Sequence, residues 1–331
     1  MPGKQRRVSA LAIGVGIAAI IAIVLVIVLL IEWLKPGPTP PVVPGPSSSS
    51  APPSSSAPAR PESQPASCPD VEVIAVPGTW ESKSTDDPLH PTANPNSLIL
   101  KVSGPLQKAY PSPRAEVWTT PYVAQLSNPV AIPPDGQATY QVSRTEGDKK
   151  TRAQIEKVYA KCKLTSFLLM GFSQGAVIAG DIASDIGNGR GPIPSENVLG
   201  VGLISDGRRV PGEAKSVGPN PPGVGAEVAF KGLAIGGLEL RGPRAGGFGD
   251  LGDKTYSLCG QHDPICNEPK DIFDANAISQ TLPKVQAVLT ANSHALYATT
   301  KDWIYEGESA VQWMNGWADG LVSKAPKPKH S

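Results

Sequence analysis

Ser173 stands between two glycines at the point where a strand pattern changes into a helix pattern. The run from Thr165 to Met170 is almost continuously apolar and predicts a buried strand. A helix is predicted after Gly175, because apolar residues recur there at helical spacing until Asn188-Gly189. A serine in a tight strand-to-helix turn has an exposed hydroxyl, and glycines on both sides let the two elements approach closely. The sequence therefore predicts a candidate nucleophile at the end of a buried strand.

Strand and helix patterns alternate through the rest of the chain beyond Ser67. Further strands are predicted at residues 71–76, 115–120, 198–205 and 255–258. Further helices are predicted at residues 148–161 and 308–321. This alternation indicates an α/β domain, assigned to residues 68–323, with a mainly parallel sheet. The glycine- and proline-rich segment 216–252 has no pattern from which elements can be placed.

An uncharged apolar run occupies residues 10–31. Its length is about 22 residues, and about 20 suffice to cross a bilayer as a helix. Basic residues precede it, which favours a cytoplasmic N-terminus over residues 1–9 and an extracytoplasmic location for the rest. We therefore predict a single-pass membrane protein with its anchor at residues 10–34 and its bulk in the periplasm or cell wall. The alternative is a cleaved signal peptide and a secreted protein, but the run is longer than the usual ~7–15 residues.

Residues 35–67 consist mostly of proline, serine and alanine. Such a segment cannot bury enough apolar surface to offset its ordering entropy, so it is predicted to be an extended linker. The lysine-rich end, residues 324–331, is predicted to be a flexible tail. The formal net charge of +1 gives no reason to expect nucleic acid as a partner.

The four cysteines all follow the apolar run, and no pair has C-x-x-C spacing. An even number in an exported domain predicts two disulfides, with three possible pairings. Cys259 and Cys266 are close enough in sequence to close one loop, which leaves Cys68 for Cys162. Four buried free thiols are the alternative.

A serine nucleophile needs a base. Of the four histidines, His90 precedes the serine and His330 lies in the tail, so His262 and His294 remain. In α/β-hydrolases the chain order is serine, acid, histidine, and only His294 leaves ample room for an acid before it.

Asp263 is the preferred acid because it lies inside the predicted disulfide loop, just after a strand. A buried carboxylate at that position would fix the imidazole tautomer. The other candidates are Asp250, Asp253, Asp271 and Asp274; Asp271 and Asp274 are the kind of aspartate that is usually solvated.

Together these residues resemble the cutinase family, and the anchor and linker resemble its membrane-anchored actinobacterial, mycobacterial-type branch. The resemblance spans about Cys68 to Ala298. The matching motifs are Cys68-Pro69-Asp70, Gly78-Thr79, Gly171-Phe172-Ser173-Gln174-Gly175 shortly after Cys162, Cys259-x-x-x-Asp263-x-x-Cys266, and Ser293-His294.

The resemblance implies an α/β-hydrolase core with a mostly parallel five-stranded sheet. It implies a triad of Ser173, Asp263 and His294, and an oxyanion hole from the backbone N–H groups of Thr79 and Gln174. It also implies the disulfides Cys68–Cys162 and Cys259–Cys266. The implied substrates are lipid esters or thioesters, with phospholipase A-type activity, and no metal or organic cofactor is required.

Two segments depart from the compact family pattern, the glycine-rich 216–252 and the longer 267–293. Each is a candidate for a loop or flap over the site, with simple packing on the core as the alternative for 267–293. Two other functions stay open, namely acyl transfer to a sugar or lipid alcohol and noncatalytic binding of lipid or cell wall. The catalytic domain is expected to be monomeric.

Overall fold

The computed structural model describes residues 60–129, 131–270, 272–273 and 278–331. Its strands are β1 (Ser63–Gln64), β2 (Val71–Val76), β3 (Ala115–Thr119), β4 (Ser166–Phe172), β5 (Val198–Ile204), β6 (Lys215–Ser216), β7 (Ala234–Ile235), β8 (Leu238–Glu239), β9 (Thr255–Leu258) and β10 (Lys329–His330). Its α-helices are α1 (Leu98–Ala109), α2 (Tyr140–Lys161), α3 (Gln174–Gly187), α4 (Ala226–Ala229), α5 (Ile278–Leu289) and α6 (Ala310–Lys324). Short 3₁₀ helices lie at Ser195–Asn197, Gly249–Lys254 and Asn292–Ala298.

The central sheet has the strand order β3-β2-β4-β5-β9-β6, and every neighbouring pair is parallel. The predicted α/β fold with a mainly parallel sheet is confirmed. The sheet has six strands rather than the five expected, because β6 adds a two-residue edge strand beside β9. A strand this short is too brief to produce a recognisable alternation, so the sequence pattern did not reveal it.

Strand β4 lies in the interior of the sheet and is buried on both faces. Leu168 and Met170 pack in the cluster that includes α1 and α6, whereas Phe167 and Leu169 pack in the cluster that includes α2 and α3. Successive side chains of a strand point to opposite faces, which explains the division. Burying a side chain of this size contributes about 1.5–3 kcal/mol, so the strand that leads to Ser173 is firmly held.

Helix starts are marked by side chains that accept backbone hydrogen bonds. Thr139 accepts from Val142 at the start of α2, and Ser309 forms a capping box with Gln312 at the start of α6. Helix α2 begins at Tyr140, eight residues before the predicted start at Asp148. The first two turns of α2 are largely polar, so they lack the apolar spacing on which the prediction depended.

The two segments that depart from the compact family pattern, 216–252 and 267–293, meet above the carboxyl edge of the sheet. Segment 216–252 contains α4, β7 and β8, and segment 267–293 contains α5. Buried apolar residues from both segments form a third cluster, which includes Val228, Phe230, Leu238, Leu240, Val285 and Val288. This third cluster borders the cavities described below.

The C-terminal residues are held against the start of the domain. Strand β10 pairs in parallel with β1, and Nε2 of His330 lies 2.8 Å from Oδ1 of Asp70. That hydrogen bond raises the pKa of His330. Residues 324–331 were predicted to be a flexible tail. Within them, Lys329–His330 pair with β1 in the structure.

No helix among the described residues is long and apolar enough to span a membrane. The predicted anchor at residues 10–34, and most of the predicted linker at 35–67, lie outside the described residues.

Candidate active site

Ser173 lies in a strained turn between β4 and α3, with φ 55° and ψ −122°. Its backbone N–H donates to the carbonyl of Ile204 at 3.0 Å, which fixes the turn against β5. The flanking glycines are required sterically, because a Cβ on Gly171 would lie 2.3 Å from the carbonyl oxygen of Gly175. A Cβ on Gly175 would lie 2.1 Å from the carbonyl oxygen of Val76.

His294 joins Ser173 to a buried carboxylate. Its Nε2 lies 2.8 Å from Oγ of Ser173, and its Nδ1 lies 3.1 Å and 3.2 Å from the two carboxylate oxygens of Asp263. The ring of Phe172 stacks on the imidazole with centroids 5.0 Å apart. The three polar side chains thus form one continuous hydrogen-bonded chain.

Asp263 is fully buried and receives hydrogen bonds from several directions. Tyr297 donates its hydroxyl at 2.6 Å, Ser205 donates its hydroxyl, and the N–H of Ile265 donates at 3.0 Å. Tyr297 itself accepts from the N–H of Gly260 at 2.8 Å. The carboxylate is therefore saturated with donors in a site that water does not reach.

Burial by itself would raise the pKa of the Asp263 carboxyl. The opposing effects are the positive charge of protonated His294 and the hydrogen bonds from His294, Ser205 and Tyr297; they prevail, so the pKa lies below its ordinary value. Burial, followed by the charge of Asp263, raises the pKa of Tyr297 well above its ordinary value. Tyr297 thus stays a neutral donor beside an ionised carboxylate.

The disulfide Cys259–Cys266 closes the loop that carries Asp263, and the disulfide Cys68–Cys162 joins the start of the domain to the end of α2. Both pairings are those that the sequence suggested. The shorter one follows β9 directly, so it places the acid beside the carboxyl ends of β4 and β5.

The two residues expected to form an oxyanion hole, Thr79 and Gln174, both line an apolar cavity beside Ser173, and Thr79 also lines a second one. Gln174 begins α3, where backbone N–H groups and the helix dipole favour a negative charge. Its side-chain Oε1 accepts from Ser143 at 2.9 Å and from Tyr122 at 3.2 Å, which holds the residue in place. Thr79 follows β2 at the same sheet edge.

Two cavities meet at Ser173 and differ in character. One has a volume of about 80 Å³ and an almost wholly apolar lining from the third cluster, including Phe230, Leu238 and Val285. The other has a volume of about 370 Å³ and is lined partly by polar groups, among them Lys101 and His294. Val288 lines both. Segment 216–252 therefore contributes walls to the apolar cavity, and segment 267–293 contributes walls to both.

The other titratable candidates lie elsewhere. His90 and His262 are exposed, and His262 pairs with Asp302 at 2.7 Å. Asp250 and Asp253 are exposed as well. Asp271 and Asp274 lie outside the described residues. Within the described ranges, no cluster of three or more metal-ligating side chains is present.

Ser205 and Tyr297 are part of the site, although the sequence reasoning missed them. Ser205 directly follows β5 and therefore shares the sheet edge of Ser173, with a backbone φ of 56°. Tyr297 lies three residues after His294, which places both in one 3₁₀ helix. Position after a predicted strand was the available signal for Ser205, but it does not distinguish a site residue from an ordinary turn serine.

The chain matches a family model and a curated protein over most of its length. The family model described as "Cutinase" matches residues 67–281, which include Ser173 and Asp263. A protein named "Carboxylesterase Culp6 homolog" from Corynebacterium glutamicum is 44% identical over 262 residues, covering 77% of this chain and 82% of that protein.

Two solved structures are also similar. The catalytic core domain of acetyl xylan esterase from Trichoderma reesei is 18% identical with a TM-score of 0.47, covering 78% of this chain and 100% of that one. A cutinase-like protein from Cryptococcus sp. is 17% identical with a TM-score of 0.43, covering 81% of this chain and 100% of that one. The family model and the Corynebacterium relative are decisive by extent and identity: the chain belongs to the cutinase family.

Proposed function

We propose that this protein is a serine carboxylic-ester hydrolase that acts through an acyl-serine intermediate. The observation that carries the proposal is the continuous contact from Oγ of Ser173 through His294 to Asp263. A serine, a base and a buried orienting carboxylate in this order are the parts that acyl transfer requires.

In the proposed mechanism, Nε2 of His294 takes the proton of Ser173 as Oγ attacks the substrate carbonyl. The N–H groups of Thr79 and Gln174 stabilise the negative charge that develops on the carbonyl oxygen. His294 then gives the proton to the leaving alcohol or thiol. Water enters, loses a proton to the same imidazole and attacks the acyl-serine, which releases the acid and restores Ser173.

Asp263 stabilises the imidazolium during both halves of this cycle. Its depressed pKa supports this role, since the group is an acceptor and not an acid at neutral pH. Oγ of Ser205 lies 3.1 Å from Nδ1 of His294 and also donates a hydrogen bond to Asp263. Ser205 therefore helps to keep His294 and Asp263 in contact.

We further propose that the substrates are lipid esters or thioesters, as phospholipase A-type and thioesterase activities require. The apolar cavity suits an acyl chain, because most of its lining is aliphatic or aromatic. The larger and more polar cavity suits a leaving group, and the exposed Trp80 at its rim adds an apolar contact surface.

The proposed location is the outer face of a membrane. The two disulfides support an oxidising compartment. The apolar run at residues 10–31 supports an anchor of the actinobacterial type, with secretion after cleavage as the alternative.

The test of the hydrolase proposal uses the full-length protein with p-nitrophenyl acyl esters. Ser173→Ala should reduce kcat/KM by about a thousandfold or more, because the covalent step is lost. The matched control is Ser323→Ala, which alters an exposed serine at the end of α6 and should retain wild-type activity. Activity of Ser173→Ala close to that of the control would refute the proposal.

Acyl transfer is the second candidate, since the larger cavity is wide enough to accept an alcohol in place of water. Product analysis with a competing sugar or glycerol acceptor separates the two reactions. A fluorophosphonate probe that failed to label Ser173 would instead favour a noncatalytic binding role.

A further inference from the structure

A third cavity, unrelated to Ser173, lies on the side of the domain formed by α2 and α3. It has a volume of about 360 Å³ and shares no lining residue with the two cavities at Ser173. Half of its lining consists of arginines, which are Arg144, Arg152, Arg190, Arg208, Arg241 and Arg244. Its remaining lining residues are Thr145, Asp148, Asp181, Ser184, Asp185 and Ala245.

The positive charges outnumber their carboxylate partners. Six arginines face three aspartates in the lining, which leaves an excess of three positive charges. Glu227 and Asp206 lie behind the wall and pair with lining arginines, and Glu213 interacts electrostatically with Arg208 and Arg244, so the excess is confined to the cavity lining. Asp181 alone serves three arginines, and Asp185 serves two. The lining itself therefore presents more guanidinium groups than carboxylates, which favours an anionic ligand.

The arginines are held in fixed positions by backbone carbonyls as well as by acids. Arg208 donates to the carbonyls of Gly242 at 2.7 Å and Pro243 at 2.9 Å. Arg144 donates to the carbonyl of Glu239 at 3.3 Å. Guanidinium groups that are already ordered lose less conformational entropy when a ligand binds.

Two arginines at the mouth of the cavity have side-chain N–H groups that lack an acceptor among the described residues. The side chain of Arg190 is 53% exposed and that of Arg152 is 24% exposed. Among the described residues, Nε and Nη1 of Arg190 and Nη1 of Arg152 have no acceptor. Both guanidinium groups also share the single carboxylate of Asp185. These N–H groups are available to oxygen atoms of a bound anion.

We propose that this arginine-lined cavity binds a phosphate group. Guanidinium groups match phosphate oxygens with paired, charge-assisted hydrogen bonds, and phosphate carries enough negative charge to offset the excess in the lining. The cavity is larger than a single phosphate needs, so a phosphate ester fits as well as the free ion. The source is either a soluble phosphate compound or the headgroup of an anionic phospholipid.

The test is calorimetric titration of the full-length protein with inorganic phosphate and with glycerol 3-phosphate, at an ionic strength kept constant with sodium chloride. The variant R152Q/R190Q removes two positive charges and the guanidinium N–H groups without acceptors at the mouth of the cavity. The matched control K83Q/K108Q removes two charges from exposed lysines outside the cavity. Cosedimentation with phosphatidylglycerol vesicles, against phosphatidylcholine vesicles, examines the headgroup source.

We expect saturable binding with one site per chain, weakened about tenfold or more in R152Q/R190Q and unchanged in K83Q/K108Q. Arginine-dependent binding to phosphatidylglycerol vesicles identifies a headgroup, and arginine-dependent binding of the small phosphates alone identifies a soluble ligand. The proposal is overturned if neither probe binds, or if R152Q/R190Q and K83Q/K108Q bind equally well. Should R152Q/R190Q fail to fold by circular dichroism, R190Q alone provides the same comparison.

Discussion

The carboxylate of Glu81 accepts a hydrogen bond from the backbone N–H of Gly78 at 2.9 Å, one residue before Thr79. Its other oxygen accepts from the N–H of Leu98 at the start of α1. Burial raises the pKa of Glu81, although these backbone hydrogen bonds oppose the rise. The buried Glu81 side chain thus links the Thr79 turn to the start of α1.

We predict that Glu81→Gln lowers kcat by about 10- to 100-fold with a smaller effect on KM. Glutamine offers one acceptor where two N–H groups need acceptors, so the Thr79 turn loses its fixed position and the oxyanion loses stabilisation. Steady-state kinetics with p-nitrophenyl butyrate measures the effect. Glu156→Gln, on the exposed face of α2, is the control. Equal changes in kcat for both variants would argue against a positioning role.

The proposed orienting acid can be tested directly. Asp263→Asn should lower kcat by about a thousandfold or more, because the amide leaves His294 without a carboxylate to fix its tautomer. Asp253→Asn is the control, since the Asp253 side chain is 96% exposed. A reduction of less than tenfold in Asp263→Asn would assign the acid to another residue.

Ser205→Ala should destabilise the fold by about 1–3 kcal/mol at neutral pH, because it removes a donor from a buried carboxylate. The lowered pKa of Asp263 contributes stability above its unfolded value of 3.8, and that stability is lost as the pH falls through the native pKa. The variant loses part of this contribution. The loss in free energy of unfolding relative to the wild type should therefore be largest near pH 7 and shrink as the pH falls below the ordinary aspartate range.

Urea unfolding at neutral and acidic pH measures this deficit. Ser257→Ala is the matched control, because Ser257 is a buried serine in β9 whose hydroxyl has no partner among the described residues. A deficit of the same size at both pH values would indicate lost packing instead of a lost charge interaction.

Glu72 is fully buried in β2, and burial, reinforced by the charge of Glu116, raises its pKa to about 8. Its Oε1 accepts from Gln154 at 2.8 Å, whereas Oε2 has no hydrogen-bond partner within the described part of the chain. The native state keeps this proton while the unfolded state loses it. Stability should therefore fall as the pH rises from about 4.5 to about 8, and level off above.

Glu72→Gln should remove this dependence and make the protein more stable at pH 8 by roughly 3–5 kcal/mol at most, with little change at pH 4. Urea midpoints across this range give the measurement. Glu196→Gln, at an exposed position, should leave the pH dependence unchanged. A Glu72→Gln curve parallel to that of the wild type would contradict the assignment.

Val285→Ala should shift selectivity toward longer acyl chains, because Val285 lines the apolar cavity beside Ser173. The ratio of kcat/KM for octanoate to that for butyrate should rise about two- to fivefold, as two methyl groups are removed from the wall. Val311→Ala removes the same two groups from the cluster under α6. Both variants should lose about 1–2 kcal/mol of stability, and only Val285→Ala should alter selectivity. If Val285→Ala and Val311→Ala had the same chain-length selectivity, α5 would only pack on the core.

Local signals account for much of what the sequence predicted. The turn at Ser173 depends on its own flanking glycines, strand and helix, all within about 20 residues of sequence. The parallel sheet followed from strand patterns that burial on both faces makes conspicuous, as in β4. Chain order then selected His294, and the disulfide loop selected Asp263; both are in contact with the Ser173 system in the structure.

Nonlocal contacts account for what was missed. Ser205 meets Asp263 across 58 residues of sequence, and no spacing rule links a strand-end serine to a distant acid. The arginines of the third cavity are spread from α2 to the loop after β8, so only folding reveals their charge excess. The two-residue β6 and the polar start of α2 had no apolar periodicity to detect.

The pairing of β1 with β10 brings the first strand of the described domain beside its last residues. Gln64 of β1 contacts the carbonyl of Pro69 and the N–H of Leu164, which precede β2 and β4, so β1 and its partner β10 lie at the amino edge of the sheet. Ser173 follows β4 at the opposite edge, and a seven-residue strand spans about 23 Å. A support coupled to the C-terminus would thus lie at the edge opposite Ser173, so immobilisation there should preserve access for bulky substrates.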